Sequence, residues 1–349
     1  MIRRLGRIAG RILLAVLVAL LLLGAPVAYN ETLCRGKPVA QDYTAILPPE
    51  HRRAESRTFL TYPEWHIVHA YDDYGRVIQD GDPHDYRYLS GISGFWSSLC
   101  ALSRVSARHG GFDWETKQTI YTIGVSFSVE LALKAAYEET IGRMSTWIRG
   151  PAHSPLDDVS ALQAAEYAEF LQQVPWYRWD FDADVAKLAA ASTGSFRDRE
   201  RRFALGVEFG VKAAYARAIA AAVANIGPDA LTLRMIVRGG SAQSLSAHQG
   251  VTVISSGPQT EIETPRYREL THLLERLAAD GVDFVEIAGN DDIMLTAISS
   301  HDYPGALFSF DRQGYGDRRH LIALKVTELA DWLRQAADSG LQLEHIHDY

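Results

Sequence analysis

Two histidines and an aspartate recur at helical spacing in LTYPEWHIVHAYDDYGRVI, residues 60–78. His66, His69, Asp73 and Arg76 follow one another at intervals of three, four and three residues, so a helix places them on one polar face. Two imidazoles one turn apart, with a carboxylate beyond them, supply three ligands of a zinc ion. The spacing differs from HExxH, in which a glutamate between the ligands is the general base. A metal site, a polar groove for a ligand or partner, and a solvated or interdomain helix face all fit this pattern.

Glutamates near this face are the next groups with chemical potential. Glu64 fits a capping box that starts at Thr61, which gives it a structural role at the beginning of the helix. Glu130, Lys134 and Glu138 are spaced by four residues, as in ion-pair ladders on helix surfaces. If the histidine face holds a metal, Glu64 or Glu130 is the candidate base of a metal-dependent hydrolase. The candidate polar site consists of His66, His69, Asp73, Arg76 and Glu130.

The carboxyl-terminal segment EHIHDY carries two more histidines. Strand alternation turns His345 and His347 to one face, and Glu344 and Ile346 to the other. Together with His301 or Asp302 from the loop SSHDYP, the two histidines are a further candidate metal site. A solvated chain end explains the same residues without a metal.

Aromatic residues are concentrated around the histidine face and again at residues 176–181. Such residues are typical of core packing between helices, and they also line ligand pockets or surfaces that contact a membrane or a partner. The candidate aromatic surface consists of Trp65, Tyr71, Trp96, Trp176 and Trp179.

Several signatures of catalysis and of cofactor binding are absent from the sequence. It contains no GxSxG, P-loop, GxGxxG, CxxC or haem-attachment motif, and no cofactor is predicted. The net charge is −8, although the first 30 residues contain four arginines and no acid. An acidic body of this kind argues against nucleic acid as a partner, because phosphates require clustered basic residues.

The amino-terminal segment predicts a membrane anchor. Four arginines precede an uncharged run over residues 12–30, which is long enough to cross a bilayer as a helix. By the positive-inside rule, residues 1–11 form a basic cytoplasmic tip and the bulk of the chain is extracytoplasmic. In a bacterium with two membranes, we therefore expect a single-pass protein of the inner membrane whose body lies in the periplasm.

A cleaved signal peptide is the alternative interpretation of this segment. Cleavage after Ala25 or Ala28 would put Leu23 or Pro26 at the −3 position, where a small residue is required. The retained signal anchor therefore fits the sequence better.

The two cysteines, Cys34 and Cys100, both fall on the oxidising side in this topology. A disulfide between them would close a loop of about 66 residues and fasten the segment leaving the membrane to the folded body. The alternative is a buried thiol at Cys100 and a free Cys34.

Composition and periodicity divide the rest of the chain into three parts. Residues 31–57 contain prolines and little periodicity, which predicts an extended stalk. Residues 58–227 carry apolar side chains at helical spacing, which predicts an all-α domain. Residues 228–349 alternate strand-like and helix-like segments, and LLERLAADGVDFVEI matches WLRQAADSGLQLEHI further along. We therefore expect an α+β fold whose last domain contains a duplicated ββαβ unit.

Two helical segments of the all-α domain resemble each other. GVSFSVELALKAAY, residues 124–137, and GVEFGVKAAY, residues 206–215, share a GVxFxV pattern and the ending KAAY. The glycines and alanines predict two central helices whose backbones approach closely.

These observations favour a membrane-anchored accessory, assembly or sensing protein that binds a protein or a ligand without catalysis. Besides the membrane itself, the expected partner is a protein in or near the membrane. The alternative is a membrane-anchored hydrolase that uses His66, His69 and Asp73 around a metal. A structural module that associates with itself is a third class.

Overall fold

The protein combines helices in its first two-thirds with two antiparallel sheets in its last third, which confirms the α+β class. The computed structural model describes residues 2–39, 42–172, 174–223, 231–336 and 338–349, and the predicted boundary at residue 227 lies outside them. The helices are α1 (Ile2–Leu33), α2 (Arg57–Leu60), α3 (Tyr62–Asp80), α4 (Tyr88–Ser106), α5 (Trp114–Tyr137), α6 (Arg143–Arg149), α7 (Pro155–Leu171), α8 (Phe181–Ala191), α9 (Phe196–Val223), α10 (Ala242–Ser246), α11 (Arg268–Ala279) and α12 (Val326–Gln335). The strands are β1 (Thr232–Arg238), β2 (Thr252–Ser255), β3 (Thr260–Pro265), β4 (Asp283–Ile287), β5 (Asp292–Ser299), β6 (Phe308–Asp311), β7 (Arg318–Lys325) and β8 (Gln342–His347).

The carboxyl-terminal end of α1 is fastened to the body. Glu31 accepts hydrogen bonds from Lys117 at 2.7 Å and from the Tyr121 hydroxyl at 2.6 Å. Directly after the helix, a disulfide joins Cys34 to Cys100, with 5.0 Å between their Cα atoms.

Among the residues that the structure describes, no helix combines the length and the apolar character needed to cross a membrane. The predicted span, residues 12–30, includes positions 12, 15, 16, 19 and 20, whose side chains lie outside the described set.

Residues 42–57 run along the part of the protein that contains both sheets, residues 231–349, which we call the α+β half. They do not form the expected stalk. The Glu286 carboxylate accepts the Leu47 N–H at 2.9 Å, and the Thr58 hydroxyl donates to the His347 carbonyl at 2.5 Å. Extended backbone that is buried needs partners for its polar groups, and the sheets supply them here. We call helices α2 to α9, residues 57–223, the helical half. The segment that links α1 to the helical half therefore also packs as part of the α+β half.

Half-buried ion pairs link α5 and α9 in antiparallel orientation. Lys134 lies 3.1 Å from Glu208, and Lys212 lies 2.7 Å from Glu130 and 3.0 Å from Glu208. The Lys134 and Lys212 charges lower the pKa of Glu208 to about 2 against the opposing effect of burial, so the carboxylate remains ionised. Paired in this way, charges can occupy the interior of a helical bundle.

The expectation that glycines bring these two helices close together is wrong for α9. A Cβ atom added at Gly206 or Gly210 would meet no atom within 4 Å. On α5, an added Cβ at Gly124 would instead overlap the ring of Phe95, so that glycine admits an aromatic side chain from α4. Long charged side chains therefore bridge α5 and α9, and the two glycines of α9 face open space.

Two four-stranded antiparallel sheets and two helices share one core in the α+β half. The strand order is β2-β3-β1-β4 in the first sheet and β6-β7-β5-β8 in the second, so the second order repeats the first with each number raised by four. Leu273 of α11, Leu329 of α12, Phe284 of β4 and Ile346 of β8 belong to the same buried cluster. Three strands precede α11 and three precede α12, whereas the predicted ββαβ unit has only two strands before its helix. The strand not predicted is β3, TEIETP, which alternates buried residues with glutamates and ends in proline.

We expect loss of the disulfide to destabilise the whole protein. In the Cys34→Ser/Cys100→Ser double variant, the unfolded chain regains the freedom of a loop of 66 residues, which lowers the free energy of unfolding by about 4 kcal/mol. Urea unfolding of both proteins measures this difference, and wild type treated with dithiothreitol is the control. A loss below about 1 kcal/mol would contradict the prediction.

Candidate functional site

The polar face of α3 is buried between the two halves of the protein. His66, His69 and Asp73 are only 4, 5 and 5% exposed. Phe310 of β6 and the loop after it cover this face, so it is not the solvated surface that its polarity suggests. Thr61 has helical backbone angles and its side chain makes no capping bond, so the expected capping box does not form.

An ion pair between a fully buried arginine and a partly buried glutamate lies at this interface. Arg319 of β7 is 0% exposed, and its Nε and Nη2 atoms donate to the Glu344 carboxylate at 2.5 and 2.6 Å. A charge in the interior requires such pairing, and the two parallel hydrogen bonds match the planar shapes of both groups. The remaining nitrogen, Nη1, has no partner among the described residues.

A β-bulge in β8 turns Glu344 towards this arginine. His345 pairs with Thr296 of β5, but the next pair joins Leu343 to Ala297, so Glu344 is an extra residue in the ladder. An extra residue interrupts the alternation of faces and re-aims a side chain. The prediction that Glu344 faces away from the two histidines of this strand is therefore wrong.

A cavity of about 300 Å³ opens beside the ion pair. Five buried polar atoms in its lining residues have no hydrogen-bond partner among the described residues. One of them, Arg318 Nε, lies 3.1 Å from the Asp311 carboxylate. The other four are Arg319 Nη1, Asp73 Oδ1, the Tyr86 hydroxyl and His69 Nε2, the last of which lies 3.5 Å from a Glu344 carboxylate oxygen. Each such atom costs roughly 1 to 3 kcal/mol when it remains unpaired. Four of them belong to residues that line one cavity of ligand-binding size, which makes this cavity the candidate binding site.

Contacts with other lining residues fix the orientation of Asp73 and His66. Asp73 Oδ2 accepts the Gln313 N–H at 3.0 Å, which leaves Oδ1 as the carboxylate atom without a partner. His66 Nε2 lies 2.9 Å from the Gly91 carbonyl, so this nitrogen carries the ring proton and donates it. The other nitrogen, Nδ1, lies 3.5 Å from the Tyr62 hydroxyl.

Burial sets the protonation of these groups. It lowers the pKa of His66 to about 4 and the pKa of His69 well below its usual value, so both rings are neutral at pH 7. It raises the pKa of Asp73 to about 7, although the Arg319 charge opposes this shift. Asp73 therefore gains or loses its proton near neutral pH, as ionisable groups in functional sites often do.

The two histidines of β8 pack as aromatic rings beside Trp65. The Trp65 and His345 ring centres are 3.8 Å apart, and His347 Nδ1 lies 3.2 Å from the Thr61 hydroxyl. Burial lowers the pKa of both histidines well below the usual value, so they are neutral. His301, from the loop considered as a further ligand, is exposed beyond the end of β5.

Two groups of side chains in the described part of the chain have three ligand atoms within 4.8 Å of one another. They are Glu55, His109 and Asp292, and Asp82, His84 and Asp85. In the first, Lys325 Nζ lies 2.6 Å from Asp292, and in the second, Arg149 Nη1 lies 2.8 Å from Asp82, so each group already has a cation of the protein. His66, His69 and Asp73 do not form such a group, so the geometry does not favour the zinc interpretation.

Two members of the predicted polar site lie elsewhere. Arg76 is outside the cavity and pairs with Asp80 at 2.5 Å. Glu130 accepts a hydrogen bond from the Tyr71 hydroxyl at 2.5 Å and joins the ion network of α5 and α9 through Lys212. Of the five predicted residues, the structure thus brings only the three from the histidine face together at the cavity.

The candidate aromatic surface does not form one surface. Trp65 lies at the interface of the two halves, and Trp96 packs in the core of the helical half. Tyr71, Trp176 and Trp179 belong to a separate cluster. These side chains therefore fill three packing regions.

Sequence reasoning missed Arg319 and Tyr86, which supply two of the four unpartnered atoms. A signal for Arg319 was present: strand alternation puts it on the same face of β7 as Leu321 and Ala323, which pack in a buried cluster. An arginine within an apolar strand face predicts a buried charge with a partner. Tyr86 precedes α4 within a tyrosine-rich stretch, and nothing in the sequence distinguishes it from its neighbours.

Comparison with protein-family models, curated proteins and solved structures gave no match for this chain. Support for any function therefore comes from the geometry and chemistry of the site.

We expect Gly94→Ala to disturb the cavity wall. An added Cβ at Gly94 would lie 2.9 Å from His66 Cε1, so the ring must move away from its bond to Gly91. Gly210→Ala is the matched control, since it gains the same helix propensity and meets no atom within 4 Å. Gly94→Ala should be less stable than Gly210→Ala by roughly 1 to 3 kcal/mol in urea unfolding. Equal stabilities would show that the His66 position is not constrained.

Proposed function

We propose that this is a membrane-anchored, extracytoplasmic protein that binds a small polar ligand, without catalysis, in the cavity between its two halves. The observation that carries this proposal is the set of four unpartnered buried polar atoms around that cavity. A protein keeps such groups at a cost in stability, and a ligand that pairs with them recovers this cost.

The geometry favours a small ligand over the alternatives from the sequence. The cavity is recessed between α3 and the β6–β7 hairpin, and about 300 Å³ suits a small molecule better than a protein surface. Among the described residues, no observation supports the metal-dependent hydrolase. His66 Nε2 donates to the Gly91 carbonyl, and His66, His69 and Asp73 do not place their ligand atoms around one metal position.

Two observations support the proposed compartment and anchor. The Cys34–Cys100 disulfide is typical of proteins in oxidising compartments, such as the periplasm. Three leucines of α1 have largely exposed side chains: Leu13, Leu14 and Leu22 are 70, 60 and 69% exposed. A lipid environment would cover such side chains.

The proposal also includes a duplicated unit in the α+β half. The equal strand orders of the two sheets support it, as do Gly281 and Gly340, which have φ angles of 83° and 72° at corresponding helix-to-strand turns. In this arrangement Arg319 and Glu344, which both line or support the site, come from the second copy.

Tyr86→Phe tests the binding site through opposite effects on stability and on binding. The variant removes a buried hydroxyl without a partner, so the empty protein should be at least as stable as wild type. Affinity for the natural ligand should fall roughly three- to tenfold, because one hydrogen bond to it is lost. The ligand is identified by native mass spectrometry of the full chain in mild detergent, followed by extraction.

Tyr88→Phe is the matched control. Its hydroxyl donates to the Pro83 carbonyl at 2.7 Å and Tyr88 does not line the cavity, so this variant should lose stability and retain binding. If no small molecule accompanies or stabilises the wild-type protein, or if Tyr86→Phe destabilises as much as Tyr88→Phe, the proposed binding site is wrong.

Protease protection tests the proposed location. A tag at the carboxyl terminus of the full chain should be digested when intact spheroplasts are treated with protease, because the body is exposed outside the inner membrane. A cytoplasmic protein carrying the same tag should resist digestion until the cells are lysed. Resistance of the tagged chain in intact spheroplasts would refute the topology and leave the cavity argument unaffected.

A further inference from the structure

The unpartnered atoms of the cavity include more hydrogen-bond donors than acceptors. Arg319 Nη1 carries a guanidinium N–H that cannot be lost, and the Tyr86 hydroxyl has a proton to donate. Burial raises the pKa of Tyr86 far above its usual value, so this proton is retained. Asp73 is the group whose role varies, since its carboxyl accepts when ionised and donates when protonated.

We propose that the cavity binds the oxyanion group of a small carboxylate, sulfate or phosphate compound between Arg319 and a protonated Asp73, with the Tyr86 hydroxyl as a third donor. This inference rests on the proposed ligand-binding function and specifies its ligand class. An ionised Asp73 would repel an anion, whereas a protonated Asp73 completes a set of three donors. Oxyanions have the lone pairs to accept from all three.

The surroundings of Asp73 are consistent with this protonated state. On its own helix, the Asp72 charge raises the pKa of Asp73 and His69 is neutral. From the other elements, the charges of Arg319 and Arg312 and the hydrogen bond from the Gln313 N–H lower the pKa of Asp73. Burial raises this pKa by more than these three contacts lower it. Tyr62, Tyr86 and Tyr315 also interact with the Asp73 charge, and burial raises the pKa of each, so their hydroxyls stay protonated at neutral pH.

Anion binding should therefore weaken as pH rises through the pKa of Asp73. That pKa is about 7, so most of the protein is in the binding-competent form at pH 6 and about one-tenth of it at pH 8. The apparent dissociation constant should then rise about tenfold between pH 6 and pH 8. His66 and His69 are neutral throughout this interval and do not contribute.

The experiment uses the full chain in detergent with sodium acetate and sodium sulfate as probes, because neither anion titrates between pH 6 and pH 8. Dissociation constants come from the shift of the thermal unfolding midpoint with probe concentration, with sodium chloride at matched ionic strength as the baseline. Acetamide and methylammonium chloride are the neutral and cationic probes. Wild type is compared with Asp73→Asn, Asp72→Asn and Tyr86→Phe.

The Asp73→Asn variant separates the possibilities. Its amide donates a hydrogen bond at every pH, so acetate or sulfate should bind at pH 8 about as tightly as they bind wild type at pH 6, with less than twofold pH dependence. Asp72→Asn is the matched control, because Asp72 accepts a hydrogen bond from the Tyr315 hydroxyl at 2.9 Å outside the cavity. The Asp72 charge raises the pKa of Asp73, so this variant should keep the pH dependence of anion binding and shift its midpoint to lower pH. Tyr86→Phe should weaken anion binding severalfold at both pH values.

Other outcomes would overturn the inference. If acetamide or methylammonium binds wild type and this binding is lost in Asp73→Asn, Asp73 binds its ligand as an ionised carboxylate. The proposed oxyanion class would then be wrong, and the proposed ligand-binding function would stand. Anion binding that is independent of pH and equal in all variants would place the anions elsewhere on the protein. No stabilisation by any probe, together with no natural ligand found by mass spectrometry, would refute both proposals.

Discussion

The burial of Arg319 is the constraint around which the interface of the two halves is organised. A guanidinium with no exposed surface needs a carboxylate in fixed geometry, and the bulge in β8 supplies Glu344 at 2.5 and 2.6 Å. Two of the three guanidinium nitrogens are used in this way, and the third lies at a cavity that the helical half closes. Removal of either partner would leave an unpaired charge in the interior, so the ion pair, the bulge and the packing of α3 on the sheet depend on one another.

The segment between α1 and α3 makes this interface permanent. Its backbone and side chains bond to both the first and the last sheet, as at Leu47 with Glu286 and at Thr58 with His347. The Cys34–Cys100 disulfide adds a covalent link between the end of α1 and α4. These contacts hold the helical half against the α+β half. If the cavity binds a ligand as we propose, a site already held in shape would reduce the entropic cost of binding.

The helical half tolerates its internal charges because they are paired along α5 and α9. Lys134, Glu208, Lys212 and Glu130 form a neutral set, and the charges hold these helices in register where close packing of small residues was expected. The cavity is built differently, since its polar atoms are left unpaired. Within one protein, the satisfied network maintains the structure, and the unsatisfied group is the one on which the proposed binding function rests.

The sequence by itself determined the α+β class, the helical periodicity of the first two-thirds and the shared face of His66, His69 and Asp73, because these follow from local spacing and from the repeat of each element. It placed Glu344 on the wrong face, since a bulge depends on pairing with a distant strand, and it joined Arg76 and Glu130 to a site to which they do not belong. Only the tertiary structure decided that the polar face of α3 is buried, that Arg319 meets it, and that the cavity lies between them. Burial and unpaired donors arise from contacts between segments some 250 residues apart, and the periodicity of a single element carries no information about them.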